Sequence, residues 1–270
     1  MGLTRRQFLA GAVGVVAGVA GYAYAVEPQT LRVERVRFPI SGLPAHLDGF
    51  TIGVLADLHI GSMVPVERGF KAASRLAALK PDLVVVAGDM TGYVDGHAEV
   101  QRLIAESLAP VKGAYGVLGN WDYFSHTLPP GVKRQTAVQL LVNQGVLVAP
   151  GLWLGGLDDG IHGDPDVEKA LAGAPAGATR LLLAHEPDLA DLVRPAHQVA
   201  LQISGHTHGG QVRLPLVGAL MKPPLGQKYV AGLYQAPACA VYTSRGIGVT
   251  GLPFRFLAPP EITLITLTRT

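Results

Sequence analysis

The chain is short of the residues that several common chemistries need. It holds one cysteine, Cys239, among 270 residues, so it can close no internal disulfide and builds no thiolate metal site. An isolated cysteine of this kind reads as a small apolar core residue. Only 16% of the residues are charged, and no Lys/Arg run with interleaved aromatics occurs, which excludes nucleic-acid binding through a basic surface. Internal repeats, Gly/Ser-rich linkers and a composition shift marking a second domain are also missing. The longest irregular stretch, 214–226, is punctuated by Pro215, Pro223 and Pro224 and reads as a loop over one face. What the chain does have is apolar mass. With 49% hydrophobic residues it can bury one large core without help from a metal or a disulfide.

The N-terminus has the order of an export signal. Thr4-Arg5-Arg6-Gln7-Phe8-Leu9 precedes a run without charge over 10–25, which closes on Ala23-Tyr24-Ala25, a small-x-small pattern that a signal peptidase accepts. The run is shorter than the roughly 20 residues of a spanning helix and rich in glycine. Paired arginines followed by Phe-Leu resemble a twin-arginine signal, which implies passage through the twin-arginine export machinery as a folded protein. The expected location is the periplasm or cell envelope, with membrane anchoring if the signal is kept. Removing Arg5 and Arg6 from the formal charge of +2 leaves 20 basic against 20 acidic residues, so any phosphate-handling site must find its positive charge locally, for example in bound cations.

Beyond the signal, residues 31–38 alternate apolar and charged side chains, the period of an edge strand with one wet face. Short apolar runs at 50–56, 83–87, 115–118, 181–184 and 199–203 read as strands covered on both faces. Helix-like spacing falls between them at 66–79, 98–108 and 132–143, and two further strands are predicted at 239–242 and 260–267. Alternation of this sort describes an α/β sandwich.

Each of the five buried runs ends in a residue type that binds metal. The first is followed by Asp57-Leu58-His59, the second by Gly88-Asp89, the third by Gly119-Asn120, the fourth by His185 and the fifth by Gly205-His206-Thr207-His208. Ligands of open α/β sheets gather beyond the carboxyl ends of strands, so these seven side chains are expected in one crevice. Asp57 and His59 are two residues apart, as are His206 and His208, and extended backbone would put each pair on one side. Gly88, Gly119 and Gly205 are expected to permit tight turns before the ligands. The oxygen and imidazole mixture suits Mn, Fe or Zn. Two such ions roughly 3.5–4 Å apart can hold a phosphoryl oxygen, lower the pKa of a bridging water and stabilise an in-line displacement. Asp89, with two oxygens, is the natural bridge.

The ordered set Asp57-x-His59, Gly88-Asp89, Gly119-Asn120, His185 and Gly205-His206-x-His208 resembles that of calcineurin-like metallophosphoesterases, and Pro260-Glu261-Ile262 is similar to the closing strand of their exported, membrane-associated bacterial branch. The resemblance implies a four-layer α/β/β/α sandwich. Together with the signal over 1–25 and the lead-in with the edge strand over 26–45, this leaves 46–270 as the expected metallophosphoesterase domain. The resemblance also implies that Asp57, His59, Asp89 and His208 hold one metal while Asp89, Asn120, His185 and His206 hold the other. The activity implied is phosphoester hydrolysis by a metal-bridging hydroxide, first of phosphodiesters, with envelope lipids, polymers or small phosphoesters as substrates. A pyrophosphate hydrolase acting on a nucleotide-linked acyl sugar is the runner-up.

One position departs from that pattern. The family carries His after the Gly-Asn, as proton donor to the leaving group, whereas this chain has Trp121, whose indole cannot deliver a proton. Either the chemistry continues at a cost of roughly 10²–10⁴-fold for substrates that need an acid, or Asp122, Tyr123 or His126 supplies the proton from the same loop. A third reading is an envelope protein that binds metal and phosphate without turnover. His46, His97, His162 and His197 are expected at the surface, Asp158 and Asp159 in solvated turns, Trp153 in packing and Gln211 at the pocket rim.

Overall fold

Apolar runs flanked by glycine and ligand residues become the inner strands of two sheets, because only strands covered on both faces can bury so continuous a hydrophobic stretch. The computed structural model describes residues 4–61, 63–92, 106–108, 113–124 and 138–270. Its strands, in chain order, are β1 Arg32–Ile40, β2 Thr51–Leu55, β3 Leu83–Ala87, β4 Ala114–Val117, β5 Gln139–Leu140, β6 Gln144–Ala149, β7 Leu152–Gly156, β8 Thr179–Leu183, β9 Val199–Ser204, β10 Arg213–Leu214, β11 Gly218–Ala219, β12 Gly232–Gln235, β13 Ala240–Thr243 and β14 Glu261–Arg269. The helices are α1 Arg5–Ala25, α2 Val66–Ala77, α3 Asn120–Phe124 and α4 Val167–Leu171.

Two six-stranded sheets, ordered β1-β14-β2-β3-β4-β5 and β12-β13-β9-β8-β7-β6, face one another. Between them lies a core that includes Ile52, Val54, Val85, Leu154, Leu181, Leu201 and Ile265, all fully buried or nearly so. A second apolar layer packs Ala72, Ala73 and Leu76 of α2 on Val84 and Val86 of β3, and a third packs Val167 and Ala170 of α4 on Leu182 and Val241. Helix, sheet, sheet and helix thus stack as the four-layer α/β/β/α sandwich expected. β2, β3 and β4 run parallel, as do β7, β8 and β9, so their carboxyl ends share an edge where the loops must converge. β1 is an edge strand, as its alternation predicts, and pairs with β14 in parallel from Arg32↔Glu261 to Ile40↔Arg269.

The sequence reading departs from the structure in a few places. Of the helix expected over 132–143, residues 132–137 lie outside the described residues, and Gln139–Leu140 forms a strand instead, pairing with Tyr115 and Gly116 of β4 while Val138 and Leu141 enter the two neighbouring cores. Tertiary pairing overrides the helical spacing there. Of the helix expected over 98–108 only 106–108 are described, and these are helical. β6, β7 and β12 are strands that the periodicity did not reveal. The stretch 214–226 opens on the tip of a short hairpin, with Arg213 pairing Ala219. α1 is an unbroken helix despite its four glycines, and the segment from Arg5 to Gln29 is long and apolar enough to cross a membrane, which corrects the shorter span read from the uncharged run alone.

Leu154 sits wholly between the sheets. Leu154→Ala should cost about 2–5 kcal/mol through lost transfer energy and the cavity left behind, seen in urea unfolding as a lower midpoint with unchanged m.

Candidate metal centre

The chain leaves three of the inner strands, β2, β3 and β9, in a conformation that ordinary residues avoid. Asp57, His59, Asp89, His206 and His208 have φ of 51°, 47°, 51°, 71° and 50°, all left-handed. The ligand pairs are therefore gathered by turns and not by extended backbone, and the side chains of His206 and His208 go to different donor groups. Five non-glycine residues in that region cost energy that the surrounding contacts must offset, a pattern typical of functional sites. The contacts are backbone hydrogen bonds that continue the β2–β3 ladder into the loops: Asp57 and His59 donate to the carbonyls of Gly88 and Asp89 at 3.1 and 3.0 Å. From the far side, Gly248 donates to the Asp57 carbonyl at 2.7 Å.

The glycines beside the ligands serve space more than turning. A Cβ at Gly119 would lie 2.3 Å from Asp89 Oδ1, and one at Gly205 would lie 2.6 Å from Asp57 Oδ2. Of the three glycines expected to make tight turns only Gly88, with φ 81°, has the left-handed conformation.

Two donor groups result. Asp57, His59 and His208 bring one atom each to within 4.8 Å of one another, and so do Asp89, His185 and His206. His59 Nε2 and His208 Nε2 are 2.9 Å apart, and His206 Nδ1 and His185 Nε2 are 3.1 Å apart. Asp89 Oδ2 stands between the groups, 3.4 Å from His59 Nε2 and 3.2 Å from His185 Nε2. The imidazoles are oriented from behind: His185 Nδ1 lies 2.8 Å from the Ala87 carbonyl and His206 Nε2 2.8 Å from the Pro224 carbonyl. Carbonyl partners of this kind fix the ring and leave the other nitrogen for a cation.

Do these residues fit a metal? Two buried oxygens, Asp57 Oδ2 and Asn120 Oδ1, receive no hydrogen bond. Buried acceptors without donors are costly, and a cation satisfies both. Burial pushes the Asp57 carboxyl up to about 7, with the Asp89 charge adding to the shift. Burial would raise Asp89 as well, but the His185 and His59 imidazoles beside it hold it down to about 2. Burial lowers His59 and His206 to about 4 and drives His208 well below its ordinary value. His185 is the exception, since Asp89 overcomes its burial and holds it well above the ordinary value. Neutral imidazoles around ionisable carboxylates are what divalent cations of the Mn, Fe or Zn type require.

The remaining sequence-predicted residues fall as follows. Asp122 is buried, and its Oδ1 accepts from the Met90 and Thr91 N–H groups at 3.0 and 3.3 Å, while Oδ2 accepts from Gly119 N–H at 2.9 Å. Burial, with the Asp89 charge, pushes its carboxyl up to about 7. Trp121 donates its backbone N–H to Asp89 Oδ1 at 2.9 Å and sets its ring edge-on to His59 at 5.5 Å. The Tyr123 hydroxyl donates to Asp158. His97 and His126 lie outside the described residues. His46 and His162 are exposed as expected, but His197 is buried, with its Nδ1 accepting from the Arg194 N–H at 3.0 Å. Asp159 is likewise buried and not in a solvated turn. Trp153 packs in the core, donating to the Ala170 carbonyl, and burial pushes the Cys239 thiol up to about 11, as befits an inert core cysteine.

Sequence reasoning missed a sixth wall. Residues 244–248 after β13 press on the first group, with a Cβ at Gly246 only 2.6 Å from Asp57. Arg245 of this loop pairs with Glu261 at 2.6 Å, which gives the Pro260-Glu261-Ile262 motif a task in bracing the site. Arg255 is fully buried, donates to the carbonyls of Arg245, Gly248 and Ala258 at 2.6–2.9 Å, and brings Nη2 to 3.3 Å from His208 Nδ1. A Gly-rich turn leaving a strand was the available signal for the first; nothing local marks Arg255.

Below a pH of about 7 Asp57 holds a proton that a cation must displace. Manganese affinity is expected to rise at least on the order of tenfold between about pH 6 and about pH 8, with proton release on binding. Calorimetry in two buffers of different ionisation enthalpy measures both, and a pH-independent affinity would contradict the assignment.

The comparisons with known proteins agree with the geometry. A family model described as calcineurin-like phosphoesterase matches residues 50–210. The chain is 36% identical to "Uncharacterized metallophosphoesterase YkuE" of Bacillus subtilis, covering 99% of both chains. It is 30% identical to "Phosphodiesterase YaeI" of Escherichia coli, covering 98% of this chain and 99% of that one. A "Transmembrane protein with metallophosphoesterase domain" of Danio rerio is 32% identical over 98% of this chain, which spans 63% of that protein. With four of the five motif loops supplying two donor groups inside the matched region, the chain belongs to the calcineurin-like phosphoesterase family and is a metal-dependent phosphoester hydrolase.

Proposed function

We propose that the protein is a phosphodiesterase that uses two divalent cations and favours leaving groups able to depart without a proton. The observation that carries this reading is the pair of donor groups joined by Asp89, with Asp57 Oδ2 and Asn120 Oδ1 buried and unpaired beside them. Asp57, His59, Asp89 and His208 would hold one cation, and Asp89, Asn120, His185 and His206 the other. When bound, the cations supply Lewis acidity to the phosphoryl group and to the attacking water. The chain's own part is positional: left-handed loops fix the donors before substrate arrives, and the fixed dipoles cost no reorganisation during reaction. The printed name of the Escherichia coli relative, a phosphodiesterase, supports the same reading.

Proton delivery to the leaving group is where this chain differs from its family. Trp121 occupies that place against His59, and Asp122 spends both oxygens on backbone N–H groups of two loops, which suits a brace. An aryl diester should therefore be cleaved far faster than an alkyl diester. Trp121→His is expected to raise the alkyl rate by roughly 10²–10⁴-fold and the aryl rate little. An Asp89→Asn protein is the blank. Equal rates on both esters in the unsubstituted protein would show that another group supplies the proton, and no turnover of either would favour a binding protein.

For the N-terminus we propose export by the twin-arginine route, supported by Arg5-Arg6 ahead of an exposed apolar helix capped by Thr4, whose side chain accepts from Gln7 N–H. Replacing both arginines by lysine should leave synthesis intact and strand the protein in the cytoplasm, as fractionation would show; unchanged export removes this reading.

A further inference from the structure

The end of α1 is built into the domain beside the metal centre. Ala23 is buried and its carbonyl accepts from the Arg255 N–H at 2.9 Å, while the buried Glu27 carboxylate accepts from the Ala258 N–H at 2.6 Å. Tyr22 meets Phe256 edge-on at 6.5 Å between ring centroids, and Tyr24 lies 5.6 Å from Phe254. The rest of α1 projects with its apolar side chains in solvent, Phe8, Val13, Val15 and Val16 among them. Its 21 residues measure about 31 Å, the thickness of a bilayer's hydrocarbon core. Aromatic residues at the foot of such a helix occupy the level of the membrane interface.

Around that foot the domain is apolar where it should be polar. The segment containing Phe256 is hydrogen-bonded to the root of the β10–β11 hairpin, through Phe256 N–H to Gln211 and the N–H of Arg213 in β10 to Phe256, both at 2.9 Å. The hairpin carries Leu216 and Val217 at its tip and Met221 just after it, exposed to 108%, 70% and 78%, with Leu220, Leu252 and Leu257 also exposed nearby in this hydrogen-bonded unit. A leucine held left-handed, φ 67°, and wholly in water is strained and solvated at once, a combination that solubility alone would remove. The hairpin is rooted at the site itself, since a Cβ on Gly210, two residues after His208, would meet Ala219 at 2.2 Å.

We infer that the β10–β11 hairpin and the 252–257 segment rest in the bilayer interface at the foot of a retained α1, and that the metal centre acts on phosphoesters borne by membrane amphiphiles. The substrate half of this inference rests on the esterase reading above; the membrane contact does not. Continuity decides the occupant: a helix of membrane-spanning length packs through Tyr22 on Phe256, and Phe256 is hydrogen-bonded to Gln211 and Arg213 at the root of the exposed apolar hairpin, whereas a protein partner would not need the helix.

Two measurements on the full chain, reconstituted in phosphatidylcholine vesicles, separate the halves. An environment-sensitive dye placed by Leu216→Cys, selective because Cys239 is buried, should be quenched by brominated lipid, whereas a dye placed by Leu147→Cys, on the far edge strand β6, should not. No quenching at position 216, or equal quenching at both, overturns the membrane contact. For the substrate, hexadecyl and methyl nitrophenyl phosphate share one reacting group and differ only in the chain that anchors the first in the vesicle. The double variant Leu216→Glu with Met221→Glu should lower turnover of the hexadecyl ester on the order of tenfold and leave the methyl ester unchanged. Equal effects on the two esters overturn the lipid substrate. If the unsubstituted protein cleaves neither ester, the esterase reading fails, and the quenching still decides the membrane contact.

Discussion

Three carboxylates and four imidazoles are packed between the ends of two sheets with almost no water around them, and that crowd of lone pairs is stable only around positive charge. Asp57, Asp89 and Asp122 are each buried, yet their mutual repulsion lets burial and charge pull them apart, with Asp89 held down to about 2 and the other two pushed up to about 7. The loops answer to this constraint. Left-handed backbone at five of the donor residues aims them inward, and glycine at 119 and 205 lets neighbouring backbone approach the carboxylates more closely than any side chain would allow.

Holding such loops requires rigid ends on which to hang them. Parallel strands supply these, because β2, β3 and β4 of one sheet and β8 and β9 of the other bring their carboxyl ends together, and the inter-sheet core fixes their separation. Asp122 then ties the second and third ligand loops, and Arg255 ties the loop after β13 to the fifth. Arg255 also receives α1, through the backbone hydrogen bond from its N–H to Ala23. A single buried residue therefore touches the membrane-length helix with its backbone and the His208 ring with its side chain, which makes the helix part of the site's support.

How much of this could be read from the chain alone differs by element. β3 was legible to the residue, Leu83–Ala87, because a five-residue apolar run bounded by Asp82 and Gly88 has few other folds. β5 was not, since Gln139 and Leu140 carry no strand signal until Tyr115 and Gly116 arrive to pair with them. Six of the seven expected donors, all but Asn120, were legible as a set that the structure gathers into two groups. Their backbone was not: extended geometry at Asp57-x-His59 was the natural expectation from spacing, and the left-handed turns follow only from the close approach of the Gly88 and Gly248 loops.

The sequence by itself determined the donor chemistry, the five strand ends that bear it and the apolar length of α1, because residue type and local period are properties of the chain. Tertiary structure decided what depends on distant segments meeting. It divided His206 and His208 between two donor groups, put Asp89 between those groups, and turned Asp122 toward backbone N–H groups. It also set the foot of α1 against Arg255 and Ala258. Those outcomes rest on contacts across as many as 232 residues, from Ala23 to Arg255, and no local pattern can encode a distance that only packing fixes.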